Sequence, residues 1–218
     1  MRDRHEDLWR AAFALRPQSG RGGTGEGDRL GTGRRIPGSS RPEFVEASPF
    51  GKIPAIRDGD YTLADSSAIL HYMEAKHPSP ALIPQDPQAR GKAVWWEEFA
   101  DTVLGAAVLK ILFNRLVGPK IRKLPFDEAV AQEGEAELPA LLDYLESQVP
   151  HGGWLAGDFS IADIAVACAL RSLVYVGHAP DAAARPRTAA WFARVTSRPA
   201  WQAMEGDEAV MAERLGIA

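Results

Sequence analysis

Two short motifs with a fixed separation place groups that could bind an anion near each other. Gly51-Lys52-Ile53-Pro54 is followed eleven residues after Pro54 by Asp65-Ser66. The pattern around Asp65-Ser66 is that of a junction between a strand and a helix, where the backbone N–H groups of the first helical turn lack intrahelical partners. Such N–H groups are free to bind an anion. Taken alone, Asp65-Ser66 would more often be a simple helix cap than an anion site.

A third motif predicts where a buried helix begins. Ser160-Ile161-Ala162-Asp163 has the form of a capping box, in which the Ser160 hydroxyl accepts from a backbone N–H three residues on and the Asp163 carboxylate reaches back. Phe159 and Ile164 are placed to form the accompanying hydrophobic staple.

The other residues that could do chemistry are less informative. Cys168 lies among apolar residues at helical spacing, which favours a buried and inert thiol. The histidines show no metal-ligand spacing, so we expect no metal site. They are His5, His71, His77, His151 and His178.

The elements that must position these motifs follow from periodicity and from turn residues. Two short strands, Ile53 to Ile56 and Tyr61 to Leu63, flank Arg57-Asp58-Gly59-Asp60, whose central Asp-Gly predicts a hairpin turn. A helix is predicted over 66–76, and a proline-rich linker follows it. Every later segment reads as helix and together they form an all-α region. Those helices are predicted over 88–117, 126–149, 160–176, 186–197 and 201–214.

Composition excludes several classes of protein. The 218 residues are 45% hydrophobic and 25% charged, as in a globular protein. A net charge of −4 does not provide the excess of positive charge that binding to nucleic acid requires. The longest stretch free of charged side chains, Ser147 to Gly157, is far below the roughly 20 residues of a membrane span, and no membrane partner is expected. A single cysteine favours the reducing cytoplasm.

The first 41 residues differ from the rest. They contain nine Arg, no Lys and five acidic residues, whereas residues 42–218 contain sixteen basic and twenty-four acidic ones. Residues 19–40 are rich in glycine without apolar periodicity, which predicts a loop or disorder. A short helix over Glu6 to Leu15 is the one element that we expect there.

Together, five segments resemble the glutathione transferase family in order and spacing over about residues 41–218. The resemblance implies an α/β thioredoxin-like N-terminal domain, with an aberrant first β-α-β unit, and an all-α C-terminal domain. The corresponding limits are 1–40 for the aberrant Gly/Arg-rich segment, 41–80 for the remainder of the first domain and 86–218 for the second. The matching segments are Arg41-Pro42-Glu43-Phe44, Ser48 to Ala55, Asp65 to Ile69, Trp95-Trp96-Glu97 and Gly157 to Asp163.

The resemblance assigns a role to each residue of the first two motifs. The bond before the proline matching Pro54 is cis in the family, and the residue matching Ile53 pairs through its backbone with the cysteinyl part of glutathione. Ser66 would offer its hydroxyl and N–H to the γ-glutamyl carboxylate. Asp65, where the family usually has Glu, would accept the ammonium of the same group. Lys52 would approach from the side, although a solvated turn lysine explains it equally well.

The resemblance also implies a transferase that uses glutathione as co-substrate and a small hydrophobic electrophile as acceptor, acting in detoxification as a cytoplasmic homodimer. The helices over 66–76 and 88–117 would lie near the dimer interface. Trp96, Phe99 and Phe113 could wall the electrophile pocket, with Trp95 beside them, but aromatic residues at helical spacing are also common in cores. Open alternatives are a non-catalytic interaction module of the same fold and a glutathione-dependent isomerase, dehalogenase or reductase.

The catalytic residue is unknown, because residues 1–40 do not resemble the family's first β-α-β unit, which carries it. The codons for residues 5–10 permit Met-Lys-Ile-Tyr-Gly one nucleotide later, a typical family opening. We therefore hypothesise that most of residues 1–40 is an out-of-frame translation, and that this chain is impaired as an enzyme. Coding DNA incompatible with that reading would refute the hypothesis.

Overall fold

The computed structural model describes residues 42–215. The predicted helix over Glu6 to Leu15 and the Gly-rich stretch therefore lie outside the described residues. Contacts divide the chain into two compact units. The first consists of the chain up to Pro80 together with the segment from Pro199 onward, and the second is Ala81–Arg198. The limits 41–80 and 86–218, which counted the last helix with the second domain, remain a prediction.

Residues 42–215 form ten strands or α-helices and two π-helical segments. No helix among residues 42–215 is both long and apolar enough to cross a bilayer. In chain order the elements are α1 (Pro42–Ala47), β1 (Ala55–Asp58), β2 (Tyr61–Ala64), α2 (Ser66–Lys76), α3 (Pro87–Glu98), π1 (Phe99–Leu104), α4 (Gly105–Leu112), π2 (Phe113–Arg122), α5 (Glu128–Gln148), α6 (Ile161–Val174), α7 (Pro186–Thr196) and α8 (Pro199–Leu215).

The hairpin of the first unit is confirmed, with its turn one residue later than predicted. Strands β1 and β2 pair antiparallel, with Ala55 opposite Ala64 and Asp58 opposite Tyr61. The turn is therefore centred on Gly59-Asp60 instead of Asp58-Gly59. Gly59 has φ 59°, and a positive φ at the first central residue alone is typical of a type II′ turn, which glycine adopts without steric cost.

Helix α2 packs its apolar face into the core of the first unit. Ile69, Leu70 and Met73 are buried, and Phe44 of α1 and Ile56 of β1 are buried as well. The predicted boundaries of this helix, Ser66 to Lys76, agree with the structure. A helix this short gains most of its stability from such burial, so the core holds α2 against the hairpin.

In place of the helix predicted over 88–117, the structure has a longer helical run over 87–122. This run contains π1 in its middle and ends in π2. A glycine follows π1, and another lies inside π2. A Cβ on Gly105 would lie 2.6 Å from the Ala100 carbonyl oxygen, and one on Gly118 would lie 2.9 Å from that of Phe113. Both carbonyls are five residues earlier, as the wider π turn requires. The two glycines therefore leave room for these turns.

Helices α4 and α5 approach closely at Gly134. A Cβ there would lie 2.7 Å from the Ala107 carbonyl oxygen and 2.9 Å from Ile111 Cγ1, so no larger side chain fits without a backbone shift. Lys110 Nζ donates to Glu137 Oε1 at 2.6 Å on the flank of the same contact.

The Asp163 half of the capping box predicted at the start of α6 is confirmed, whereas the buried Ser160 Oγ has no hydrogen-bond partner within the described residues. Asp163 is fully buried and its carboxylate accepts three hydrogen bonds, from Leu155 N at 3.0 Å, Ser160 N at 3.1 Å and Trp191 Nε1 at 2.8 Å. Burial raises the pKa of Asp163, and the three donors oppose that rise. This one side chain thereby ties the loop before α6 to both α6 and α7.

A carboxylate from another helix caps α7. Glu146 on α5 accepts from Arg187 N at 3.0 Å, Thr188 N at 2.8 Å and Thr188 Oγ1 at 2.7 Å. Burial raises the pKa of Glu146, but the hydrogen bonds from Thr188 and Arg187 outweigh it and hold the pKa below its usual value.

Candidate functional site

A buried serine holds the loop that leads into Ile53-Pro54 by hydrogen bonding to its backbone. Ser48 is 2% exposed, and its Oγ donates to the Lys52 carbonyl oxygen at 2.7 Å. Gly51 N donates to the Ser48 carbonyl at 2.9 Å, and Gly51 has φ 68°, a left-handed conformation that favours glycine. The backbone of residues 48–52 is therefore set before the chain reaches the predicted site.

One backbone hydrogen bond joins the two predicted motifs. Asp65 N donates to the Pro54 carbonyl oxygen at 3.1 Å, directly beyond the last ladder pair, Ala55 with Ala64. The bond between Ile53 and Pro54 is cis, as the resemblance implied. Residues eleven positions apart in sequence are thus adjacent in space.

Ile53 presents an unused backbone edge. Within residues 42–215, no hydrogen bond engages its N–H or its C=O, and the residue is partly exposed. A partly exposed N–H and C=O of one residue can pair with an extended peptide as an added strand would.

The start of α2 leaves one donor open beside that edge. Asp65 Oδ1 accepts from Ser67 N at 3.1 Å and Ala68 N at 3.2 Å, and the Asp65 carbonyl accepts from Ile69 N at 3.0 Å. Of the first-turn N–H groups, only that of Ser66 has no partner in the described part of the chain. The helix-cap interpretation of Asp65 is therefore correct, and it leaves the Ser66 N–H available to an anion.

Asp65 also has an unusual backbone conformation. Its φ of 87° with ψ of 132° lies in a region that residues other than glycine rarely adopt. Such conformations cost about 1–3 kcal/mol and cluster at ligand sites. In this conformation, Asp65 Oδ1 accepts the two hydrogen bonds at the helix start, while the residue as a whole is exposed to solvent.

Lys52 is exposed, and none of the hydrogen bonds or ion pairs among residues 42–215 involves its ammonium group. Its role toward a ligand stays a prediction. The structure thus brings Ile53, Pro54, Asp65 and Ser66 into one cluster, with Lys52 at its margin.

A second polar cluster, which the sequence did not reveal, holds α2 against the hairpin. Asp58 at the end of β1 accepts from Lys76 Nζ and from Tyr72 OH. The bond from Lys76 and then that from Tyr72 lower the pKa of Asp58, and the same bond raises the pKa of Tyr72. Tyr72 and Lys76 are four residues apart on one helix face, which was the only available signal.

The aromatic residues predicted for the electrophile pocket separate into two places. Trp96 and Phe99 are buried and meet edge to face, with ring centroids 5.3 Å apart. Tyr144 of α5, which sequence reasoning missed, joins them at 5.7 Å from Phe99. Phe113 begins π2 and makes none of the ring contacts found within residues 42–215. The pocket stays a prediction.

Metal-binding potential is low in the described part of the chain, where no group of three or more His, Cys, Asp or Glu could hold an ion. Cys168 on α6 is partly buried, whereas its apolar neighbours in the sequence predicted a buried thiol.

The hairpin with α2 and the helical unit beyond it are the thioredoxin-like and all-helical parts of one known fold. Residues 34–81 match the model of the glutathione S-transferase N-terminal domain, and residues 128–194 match that of the C-terminal domain. Glutathione S-transferase F10 of Arabidopsis thaliana is 35% identical over 166 residues, which are 74% of this chain and 77% of that protein.

Two solved structures agree. A structure of glutathione S-transferase III in apo form has a TM-score of 0.66 and 33% identity, covering 77% of this chain and 78% of that one. A structure of glutathione S-transferase I bound with lactoylglutathione has a TM-score of 0.65 and 30% identity, covering 74% and 78%. The chain belongs to the glutathione S-transferase family.

Proposed function

We propose that this chain binds glutathione through Lys52, Ile53, Pro54, Asp65 and Ser66 and transfers it to a small hydrophobic electrophile. The observation that carries the proposal is the 3.1 Å hydrogen bond from Asp65 N to the Pro54 carbonyl, because it sets the open edge of Ile53 beside the open N–H of Ser66. A short extended peptide with a terminal carboxylate fits this pair of groups.

In the proposed complex, the cysteinyl part of glutathione pairs with the N–H and C=O of Ile53. The γ-glutamyl carboxylate accepts from the N–H and hydroxyl of Ser66, where the positive end of the α2 dipole favours it. Asp65 uses Oδ1 for the helix cap, so its other oxygen would accept from the ammonium group. Aspartate is one methylene shorter than the usual glutamate, which shortens its reach and weakens this contact.

The chemistry is a direct addition. Hydrogen bonding at the site lowers the pKa of the glutathione thiol, which releases its proton to water. The thiolate then attacks an electrophilic carbon, and the new carbon–sulfur bond forms as the π bond of the electrophile breaks and its far end takes a proton from water, or as a leaving group departs with the electron pair. No residue within 42–215 is assigned to stabilise the thiolate. Trp96, Phe99 and Phe113 remain the proposed contacts for the electrophile. No metal takes part in the proposed reaction.

We further propose a cytoplasmic homodimer that serves in detoxification. Phe50 supports the dimer, since its side chain is 91% exposed, the highest value for a large hydrophobic residue in the described part of the chain. An exposed aromatic on a backbone fixed by Ser48 fits a contact with a second copy. Sedimentation of wild type and Phe50→Ser should show a dimer that the substitution weakens.

Thermal unfolding with and without millimolar glutathione tests the binding site. Ligand at a hundred times its Kd adds about 2.7 kcal/mol, which for a chain of this size raises the midpoint by about 5–10 °C. Ser66→Pro removes both the N–H and the hydroxyl at a helix position that tolerates proline. It should abolish the shift, and Ser66→Ala, which keeps the N–H, should reduce it.

Ser67→Ala is the matched control, since the Ser67 N–H is bonded to Asp65 and its hydroxyl has no part in the proposed site. It should shift like wild type. A wild-type midpoint unmoved by glutathione would contradict the proposal, as would an equal shift in Ser66→Pro. If glutathione binds but a panel of electrophiles yields no conjugate, the chain is a binding module of this fold and not a transferase.

A further inference from the structure

The last residues of π2 and the segment that joins π2 to α5 carry an exposed surface that the proposed glutathione site does not use. We call residues 120–126 the basic loop. Leu124 and Phe126 are 41% and 60% exposed, although large apolar side chains are usually buried. The same loop contains the basic residues Lys120, Arg122 and Lys123.

Positive charge is concentrated here in an otherwise acidic protein. Residues 113–126 contain four basic residues and no acidic one, whereas residues 42–218 as a whole contain sixteen basic and twenty-four acidic. Arg115 is neutralised by Glu128 and Glu135. The three basic residues of the loop make no ion pair with any residue of the described range 42–215. Their charge is therefore not compensated by an ion pair within that range, and Lys120 and Lys123 are exposed while Arg122 is partly exposed.

The loop is held at both ends. Lys123 has φ 55°, and its N–H and that of Leu124 both donate to the Gly118 carbonyl, the latter at 2.9 Å. At the far end, Asn114 Oδ1 accepts from Asp127 N at 2.9 Å, and Asp127 caps α5 through its carboxylate. Leu124 and Phe126 are thus presented on a fixed backbone, so little conformational entropy is lost when they bind.

The size and shape of the surface select its partner. The loop closes one end of a helical hairpin formed by the run 87–122 and α5, and it offers two apolar side chains. A stable protein interface needs about 800 Å² from each partner, more than a loop of this size supplies. A fluid bilayer requires no matching surface, because apolar tips enter below the headgroups while basic side chains stay at the level of the phosphates.

We propose that the basic loop binds the surface of an anionic lipid bilayer reversibly, with Leu124 and Phe126 inserted and Lys120, Arg122 and Lys123 at the headgroups. The sequence suggested no membrane partner because it contains no spanning segment, but a peripheral contact needs none. Several basic residues combined with apolar insertion are what weak anchoring of this kind requires.

Co-sedimentation of the full chain with lipid vesicles tests the proposal. Wild type should bind vesicles of phosphatidylcholine with about one-third phosphatidylserine, and bind them far better than phosphatidylcholine alone. Each neutralised charge should weaken binding about fivefold, so K120Q/R122Q/K123Q should lose on the order of a hundredfold. L124S/F126S should also bind more weakly. L109S removes a residue that is 60% exposed elsewhere, on α4, and should bind like wild type.

Several outcomes would overturn the proposal. One is equal binding of wild type to both kinds of vesicle, or to neither. Another is unchanged binding by both loop variants. The circular dichroism and unfolding midpoints of these variants should match those of wild type, because the changed residues are at least partly exposed. Binding to a poly-glutamate peptide but not to vesicles would assign the loop to an acidic protein. Glutathione is absent throughout, so failure here leaves the proposed transferase function untouched.

Discussion

Replacing Asp163 with alanine should remove most of the stability of the helical unit. The carboxylate is fully buried and accepts from Leu155 N, Ser160 N and Trp191 Nε1 at 2.8–3.1 Å. Alanine would leave three buried donors without an acceptor. Each unsatisfied donor costs about 1–3 kcal/mol, so the sum is about 3–9 kcal/mol, a large part of the 5–15 kcal/mol that typically holds a native protein together.

Asp163→Asn should be milder. Its amide oxygen can occupy the place of Oδ1 and keep the bonds from Leu155 and Trp191, while its NH₂ group meets the Ser160 N–H. One bond is then lost and two donors face each other, for about 1–3 kcal/mol. Asp158→Ala, an exposed change in the preceding loop, should stay within about 0.5 kcal/mol of wild type.

Urea unfolding followed by far-ultraviolet circular dichroism measures all three variants. The expected order of stability is wild type and Asp158→Ala, then Asp163→Asn, then Asp163→Ala. The reasoning is refuted if Asp163→Ala unfolds within 1 kcal/mol of wild type, because the three donors would then have found other partners or water. It is also refuted if asparagine proves as damaging as alanine.

Three further substitutions probe packing, helix propensity and charge. Gly134→Ala should destabilise by about 1–3 kcal/mol, because its Cβ would lie 2.7 Å from a carbonyl oxygen of α4. Gly91→Ala, in α3 with nothing within 4 Å, should instead stabilise by about 0.5–1 kcal/mol, and urea unfolding of the pair separates crowding from helix propensity. Since the folded pKa of Glu146 lies below its unfolded value of 4.5, its contribution is present above that value and is lost as pH falls through the folded pKa. Glu146→Gln should flatten the stability profile in this acidic range, and an unchanged slope in acid titrations would contradict the assignment.

The features that the sequence predicted are encoded by neighbouring residues. The hairpin needs only a glycine between two apolar runs, and the capping box needs Ser160 and Asp163 three positions apart. The start of α2 was found in the same way, from Asp65-Ser66. Local hydrogen bonds fix these structures, so a short window of sequence contains the whole physical cause.

The features that the sequence missed depend on distant residues or on backbone geometry. Glu146 caps a helix that begins forty residues later, and no local pattern identifies that pairing. Tyr144 meets Phe99 only because two helices pack together. The sequence did not predict the π-helical segments π1 and π2, because one extra residue in a turn barely alters the apolar periodicity of a long helix. The residue that would stabilise the thiolate stays unassigned, because we expected it in residues 1–40, which do not resemble the first β-α-β unit of the family.

Asp65 gives one carboxylate two roles, because Oδ1 caps α2 and the other oxygen is the proposed acceptor for the ammonium group of the ligand. The carboxylate that caps the start of α2 would also contact the ammonium group of the proposed ligand. The backbone of Asp65 is already strained, with φ 87°. A substitution chosen to tighten the grip on the ligand would loosen the helix start, and one chosen to stabilise the helix would relax the strained backbone.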